Sequence, residues 1–336
     1  VSGGLHTEVR ETMGDVRPLL SVIVPVYGSE AILPETHRRL TSVLSDPALR
    51  VDYEILFVND GSPDDALGVL KDIAAHDPRV GVLSLSRNFG HQTAITAGID
   101  QARGDAVVII DDDLQDPPEV IAEMLAMWRD GSKVVYGVRS ARRGENRLKR
   151  ATAALFYRLL QRLSETPLPV DSGDFRLIDR DVVEALRAMR EESRYVRGMV
   201  SWVGFTQTPV HYVRDSRYSG SSNYTLRKLT KLAFDGLLSF SSRPLTLVMQ
   251  FGSFVTTLSV VYGLWIVIDR LLHPEATPEG WTTMTVAILF MGGVQLVSVG
   301  VLGAYLGRIF YETKSRPLYF VAERIGTPAA GGEPRS

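Results

Sequence analysis

Two stretches near the carboxyl end carry no charged residue over lengths that few soluble folds use: about 24 residues from Leu245 to Ile268 and about 23 from Met284 to Leu306. As helices, each is long enough to cross a hydrocarbon layer of ~30 Å. The sequence therefore predicts two membrane spans, at 244–270 and 284–307. The loop between them, 271–283, contains no Lys or Arg, whereas Arg243 precedes the first span and Arg308, Lys314, Arg316 and Arg324 follow the second. That asymmetry puts both flanks, including the 308–336 tail, on the cytoplasmic side and the loop outside. Gly300, Gly303 and Gly307 lie close to one helical face, either to let helix backbones approach or without a packing role. Residues 1–18 are polar and lack the apolar core of a signal peptide, so they are expected to be a flexible lead into a domain that stays in the cytoplasm.

Upstream of the spans the apolar residues fall into short runs alternating with helical stretches, the pattern of an α/β fold with a mostly parallel sheet covered by helices. Strands are predicted at Leu19 to Val26, Tyr53 to Asn59, Val80 to Ser84, Ala106 to Ile110 and Lys133 to Val138. Helices are predicted at Ala31 to Leu44, Asp65 to His76, Thr93 to Ala102 and Pro118 to Arg129. This catalytic-sized domain is expected to occupy residues 19–224. Two basic amphipathic helices, at Arg147 to Leu163 and Leu226 to Phe240, fit an interfacial position, the second forming an interfacial segment at 225–243.

With 37 Lys plus Arg against 39 Asp plus Glu, the net charge of -2 gives no global attraction to nucleic acid. The absence of cysteine excludes disulfides, thiolate metal sites and a cysteine nucleophile. In a parallel α/β sheet, ligands bind outside the carboxyl ends of the strands. The residues there are Pro25, Tyr27 and Glu30, then Asn59, Asp60 and Gly61, then Arg87, Asn88 and Gly90, and finally the run Asp111, Asp112, Asp113, Leu114, Gln115. Three successive carboxylates repel one another, which points to a cation at that edge. Oxygen ligands suit Mg²⁺ or Mn²⁺ rather than zinc, and such an ion commonly takes substrate phosphates as its remaining ligands. No Gly-x-Gly-x-x-Gly or Walker lysine follows the first strand, against a dinucleotide or P-loop reading.

The segments Ser21 to Tyr27 (SVIVPVY), Val58 to Ser62 (VNDGS), Asp111 to Glu119 (DDDLQDPPE) and Gly173 to Arg180 (GDFRLIDR) together resemble the family 2 glycosyltransferases. Within them, the order of motifs and the two carboxyl-terminal spans resemble the polyprenyl-phosphate glycosyltransferases. The resemblance runs from Leu19 to Val321. It implies a GT-A type nucleotide-sugar-binding domain and an inverting hexosyltransferase that moves sugar from a nucleotide diphosphate sugar to a polyprenyl phosphate, such as undecaprenyl phosphate, at the bilayer. By the same resemblance Pro25, Tyr27, Glu30, Asp60 and Asp112 would meet the nucleotide sugar, Asp60 accepting hydrogen bonds from the base. Asp111, Asp113 and Gln115 match the metal-binding pattern, with Asp112 where the family often has alanine. Asp113 and Asp174 are the catalytic candidates, Asp174 matching a proposed base. Arg139, Arg176, Arg217 and Ser222 match the acceptor-phosphate positions, guanidinium groups being suited to bidentate phosphate binding. Two departures stand out: Gly28 replaces a usual asparagine and Asn223 a common lysine. A homo-oligomer is expected and nucleic acid is not. The alternatives are a processive polysaccharide synthase, disfavoured by the lack of a Gln-x-x-Arg-Trp motif, and a membrane-anchored scaffold with a decayed catalytic domain. No short motif identifies the sugar, and uridine is preferred over guanosine only from the closer resemblance to the glucosyl branch.

Overall fold

The computed structural model describes residues 17–139, 172–192, 194–213, 243–272 and 280–326. The segments expected to form the two interfacial helices, 147–163 and 226–240, Arg217, Ser222, the opening 16 and the last 10 residues and most of the inter-span loop lie outside the described residues, as does the side chain of Arg139. The chain divides into two compact units, one of residues 1–147, 168–223 and 317–336, the other of 148–167 and 224–316.

The first unit is built on a single sheet of β1 (Leu19–Val26), β2 (Asp52–Asn59), β3 (Val80–Leu85), β4 (Ala106–Ile109), β5 (Val134–Arg139), β6 (Ser172–Asp179), β7 (Gln207–Tyr212) and β8 (Val321–Gly326). Their order across the sheet is β7-β5-β6-β4-β1-β2-β3-β8. The pairs among β4, β1, β2 and β3 are parallel, as is β5 with β7. Strand β6 runs antiparallel to both of its neighbours, and β8 runs antiparallel to β3. The sheet is thus mixed, and its four-stranded parallel centre and β5 are the parts predicted from sequence. Strands β6, β7 and β8 were not predicted.

Helices α1 (Leu33–Leu44), α2 (Ala66–His76), α3 (His91–Gln101) and α4 (Ile121–Arg129) fall where the apolar periodicity places them, α4 starting three residues late because a 3₁₀ turn takes Pro118–Val120. Two more, α5 (Arg180–Ala188) and α6 (Val196–Trp202), follow β6. Alternation along each strand sends its side chains to opposite faces. Leu20, Val22 and Val24 of β1 accordingly join a core with Leu33, Leu40 and Leu44 of α1, Leu70 of α2, and Ile121 and Met124 of α4. Ile23 points the other way, against α3, so closely that a Cβ on Gly98 would come within 2.3 Å of it. At the amino ends of the strands, the buried Glu54 carboxylate accepts from Ser21 Oγ (2.6 Å) and from Arg103 Nη2 (2.6 Å), tying β1, β2 and the turn into β4 together. The opposite edge of the sheet is left for loops.

The second unit contains α7 (Arg243–Leu272) and α8 (Trp281–Glu312), most of whose described apolar side chains, among them Phe254, Leu258, Trp265, Leu296 and Leu306, are exposed. By length and composition, one stretch among the described residues qualifies to cross a membrane, the 23 residues Phe290–Glu312. The Cβ positions of Gly300, Gly303 and Gly307 face open space, so the close backbone approach that their spacing permits is not made among the described residues.

Candidate active site

The antiparallel course of β6 brings two distant sequence motifs together. Ile109 of β4 pairs with Arg176 of β6. Continuing an antiparallel register two steps past the end of β4 sets Asp111 opposite Asp174.

Asp174 is buried and heavily engaged. Arg197, on α6, grips it bidentately, Nε to Oδ1 at 2.8 Å and Nη2 to Oδ2 at 3.0 Å. His91 Nε2 lies 3.1 Å and Gln92 Nε2 3.4 Å from Oδ2. Burial alone would raise the Asp174 carboxyl, but the His91 and Arg197 contacts outweigh it and hold the group far below the usual carboxylate range. Burial lowers and Asp174 raises the Arg197 guanidinium, the net being upward. His91 shows the same contest: burial disfavours its cation, the bond to Asp174 and the charge of Asp111 favour it, and its pKa ends raised. Arg176 is also buried, with Nη2 donating to the Gly173 carbonyl (3.0 Å) and Nε to that of Asp174 (3.3 Å). Burial brings its pKa down to about 10 despite the Asp174 charge. Rather than presenting a cation to solvent, Arg176 braces the backbone of the strand that carries Asp174.

The acidic run leaves the end of β4 in a tight turn, with Leu114 at φ 54 and the Asp113 Oδ1 accepting from the Gln115 N–H at 3.0 Å. Gln115 is buried, and buried Asp116 accepts a hydrogen bond from Tyr212 Oη. Asp111 Oδ1 and Asp112 Oδ2 are buried without a hydrogen-bond partner, His91 Nε2 lying 3.6 Å from the former. Burial raises the Asp111 carboxyl to about 6, helped by the charges of Asp174, Asp116 and Asp113, and that of Asp112 to about 7, helped by Asp111 and Asp113. Buried carboxylate oxygens without donors are costly unless a cation meets them. No three His, Asp or Glu groups among the described residues form a complete cage. Carboxylate oxygens of this kind suit a hard divalent ion such as Mg²⁺ or Mn²⁺.

The remaining nucleotide-side candidates surround this edge. Pro25 is buried in β1, while Tyr27 is exposed just beyond it. Glu30 Oε2 accepts from the Asp65 N–H at 3.1 Å, and its own N–H donates to Asp64 Oδ2 at 2.9 Å, closing the β1 loop against the β2 loop. Both oxygens of Asp60 accept backbone hydrogens, from Phe89 (2.7 Å) and Gly90 (2.9 Å). Asp60 thus anchors the turn between β3 and α3. Burial outweighs those two bonds and leaves its pKa raised. Gly61 makes this approach possible: it sits at φ +63, and a Cβ there would meet the Arg87 carbonyl carbon and Asn88 nitrogen at 2.6 Å.

His91, Gln92 and Arg197 were not predicted from sequence. The strand-end rule reached Gly90 and stopped one residue short of His91. Arg197 sits on a seven-residue helix with no periodic pattern to flag it.

Residues 21–187 match glycosyl transferase family 2. The glycosyltransferase YkcC of Bacillus subtilis is 46% identical over 306 residues, covering 91% of this chain and 94% of that protein. A bactoprenol glucosyl transferase of Shigella phage SfX is 41% identical over 305 residues, covering 91% of this chain and 99% of that one. A mannosyltransferase from Pyrobaculum calidifontis, solved with GDP-Man and Mn²⁺, is 14% identical with a TM-score of 0.48, covering 89% of this chain and 86% of that one. The chain belongs to glycosyl transferase family 2, and its mixed, mostly parallel α/β sheet is of the GT-A type. It is accordingly a glycosyltransferase, and so an enzyme.

Proposed function

We propose that this enzyme transfers a hexose, with inversion, from a nucleotide diphosphate sugar such as UDP-glucose to a polyprenyl phosphate such as undecaprenyl phosphate, at the cytoplasmic face of the membrane. The observation that carries the reading is the pair of buried carboxylates, Asp111 and Asp112, with donorless oxygens and raised pKa values beside a fully engaged Asp174. Relatives named bactoprenol glucosyl transferase support the lipid acceptor. Helices α7 and α8, of 30 and 32 residues, are the two proposed spans, with the segment that joins them outside.

Asp111 and Asp113, with Gln115, would hold Mg²⁺ or Mn²⁺, and Asp112 stands close enough in the run to share that role. Such an ion, when bound, supplies positive charge to the departing nucleotide diphosphate. An acceptor phosphate monoester, with a second pKa near ~6, is already largely dianionic at neutral pH. It requires placement more than deprotonation. Asp174, held ionised by Arg197 and His91, is a weak base by virtue of that same stabilisation. Its role is therefore to fix the geometry of His91, Gln92 and Arg197 around the reacting groups. Arg139 and Arg217, with Ser222, remain the proposed contacts to the acceptor phosphate.

The test is to incubate membranes containing the full chain with a panel of radiolabelled nucleotide sugars and a polyprenyl phosphate, then extract the lipid. Labelled lipid from one nucleotide sugar, dependent on a divalent ion, is the expected result. No labelled lipid from any donor with any lipid phosphate would overturn the reading and favour a scaffold.

A further inference from the structure

The chain returns to the catalytic unit after α8, and the returning segment lies against the turn that serves the active site. Strand β8 pairs with β3 along Gly81↔Gly326 to Leu85↔Val321, and Ile325 packs on the core. This covers an edge that would otherwise expose unpaired backbone groups. Edge protection needs only the ladder, yet the two residues before β8 do something else.

Tyr319 Oη donates to Asp100 Oδ2 at 2.9 Å, near the end of α3. The Phe320 carbonyl accepts from the Ser86 N–H at 2.9 Å, at the start of the β3 to α3 turn. The Phe320 ring lies 6.5 Å from that of Phe89, which carries the Arg87 guanidinium 3.9 Å over its centre. Phe320 is 57% exposed, so burial in the core does not explain a large aromatic there. What it touches is the turn whose Phe89 and Gly90 N–H groups bind Asp60, and whose next residues, His91 and Gln92, reach Asp174. Tyr319 and Phe320 therefore meet both ends of the element that carries these contacts.

We propose that Tyr319 and Phe320 are positioning residues for catalysis: the segment following α8 clamps α3 and its preceding turn, and thereby sets Asp60, His91 and Gln92 for donor binding. This rests on the proposed role of the β1, β2 and β4 loop edge as the nucleotide-sugar site. Aromatic contact and one hydrogen bond are modest individually, but the turn they hold has little other packing on its outer side, Ser86, Arg87 and Asn88 all being exposed.

The experiment compares Phe320→Ala and Tyr319→Phe with Glu323→Gln, which loosens only the surface pair with Lys71 at 2.8 Å. Two readouts are taken on the full chain: hydrogen exchange of the Phe89 and Gly90 amides, and donor KM and kcat at saturating divalent ion. The expected result for Phe320→Ala is about tenfold faster exchange at both amides, a donor KM raised about fivefold, and an unfolding midpoint close to wild type. Tyr319→Phe should give the same pattern more weakly, and Glu323→Gln should change neither readout. Unchanged exchange in Phe320→Ala would overturn the clamp, whatever the kinetics. Faster exchange with an unchanged donor KM would overturn its catalytic role. Failure of the wild-type chain to use any nucleotide sugar would instead refute the proposed function, and the exchange measurement remains readable in that case.

Discussion

Replacing Asp111 with asparagine should stabilise the ion-free protein while destroying its activity. Asp111 has its carboxyl raised from 3.8 to about 6 by burial and by neighbouring carboxylates. A rise of that size corresponds to ~3 kcal/mol held against the ionised folded state. Asparagine keeps the shape and removes the charge, but it leaves a buried amide with its own hydrogen-bonding needs, so a net gain of about 2 kcal/mol is the expectation. For a domain of this size that is about 4 to 8 °C in the unfolding midpoint. The sign with pH follows from the direction of the shift. A group whose folded pKa is raised contributes stability below its unfolded value, and that contribution is lost as pH rises through the folded pKa. Wild type in chelator should therefore lose stability between about pH 4 and pH 7, the window set by Asp111 and Asp112. His91 and Asp60, both raised, act in the same direction, and the depressed Asp174 matters only below its unfolded value of 3.8.

Thermal unfolding of the full chain, in chelator at pH 7.5 and at pH 4.5, measures this directly. The advantage of Asp111→Asn should be largest at pH 7.5 and should shrink at pH 4.5. Added Mn²⁺ should raise the wild-type midpoint and leave the variant unmoved. A variant less stable than wild type in chelator at pH 7.5 would refute the reasoning, because it would mean that the folded protein already compensates the Asp111 charge.

The other predictions concern the same site and the spans. Arg197→Ala leaves the buried Asp174 carboxylate without its bidentate partner, and kcat should fall about 100-fold, with Arg197→Lys intermediate and donor KM little changed in steady-state assays. Asp174→Asn should lose rate through misplacement of Arg197 and His91, and a pH-rate profile should show no rescue above the acceptor phosphate pKa near ~6. Excess chelator should abolish transfer by wild type, and Asp113→Ala should stay inactive on readdition of Mg²⁺ or Mn²⁺; full turnover in chelator would refute the ion-binding role of the acidic run. In this cysteine-free chain, Pro278→Cys should react with a membrane-impermeant thiol reagent from outside the cell, and labelling only from the cytoplasmic side would reverse the topology.

The parallel centre was legible because its strands are buried on both faces and read as apolar runs. Predicted and observed bounds for β1 agree at both ends, and those of β2, β3, β4 and β5 agree within one residue at each end. Strand β6 escaped for the opposite reason. Its sequence, Ser-Gly-Asp-Phe-Arg-Leu-Ile-Asp, places Asp174 and Arg176 inside the sheet, and charges in a buried strand erase the apolar signal. Strand β8 is short, carries Glu323 and Arg324, and pairs with a strand far away in sequence, so no local pattern could announce it. At the site, the acidic run was legible because like charges in succession are unusual. Arg197 was not, since its significance lies wholly in reaching Asp174 from another element.

The direction of β6 decides whether a site exists at all. Asp174 lies near the start of β6 and Asp111 just beyond the end of β4. Were β6 parallel to β4, its start would fall at the amino end of β4, and the four residues of that strand would separate the two carboxylates by ~13 Å. His91, at the head of α3, could then reach one of them but not both. Run antiparallel, the strand brings both within 3.6 Å of the His91 ring nitrogen. Under the proposed function, the residues after β4 would answer to the donor diphosphate while Asp174, on the neighbouring strand, holds His91 and Arg197 in place. A family resemblance names these motifs separately; it is the reversal of one strand that makes them neighbours.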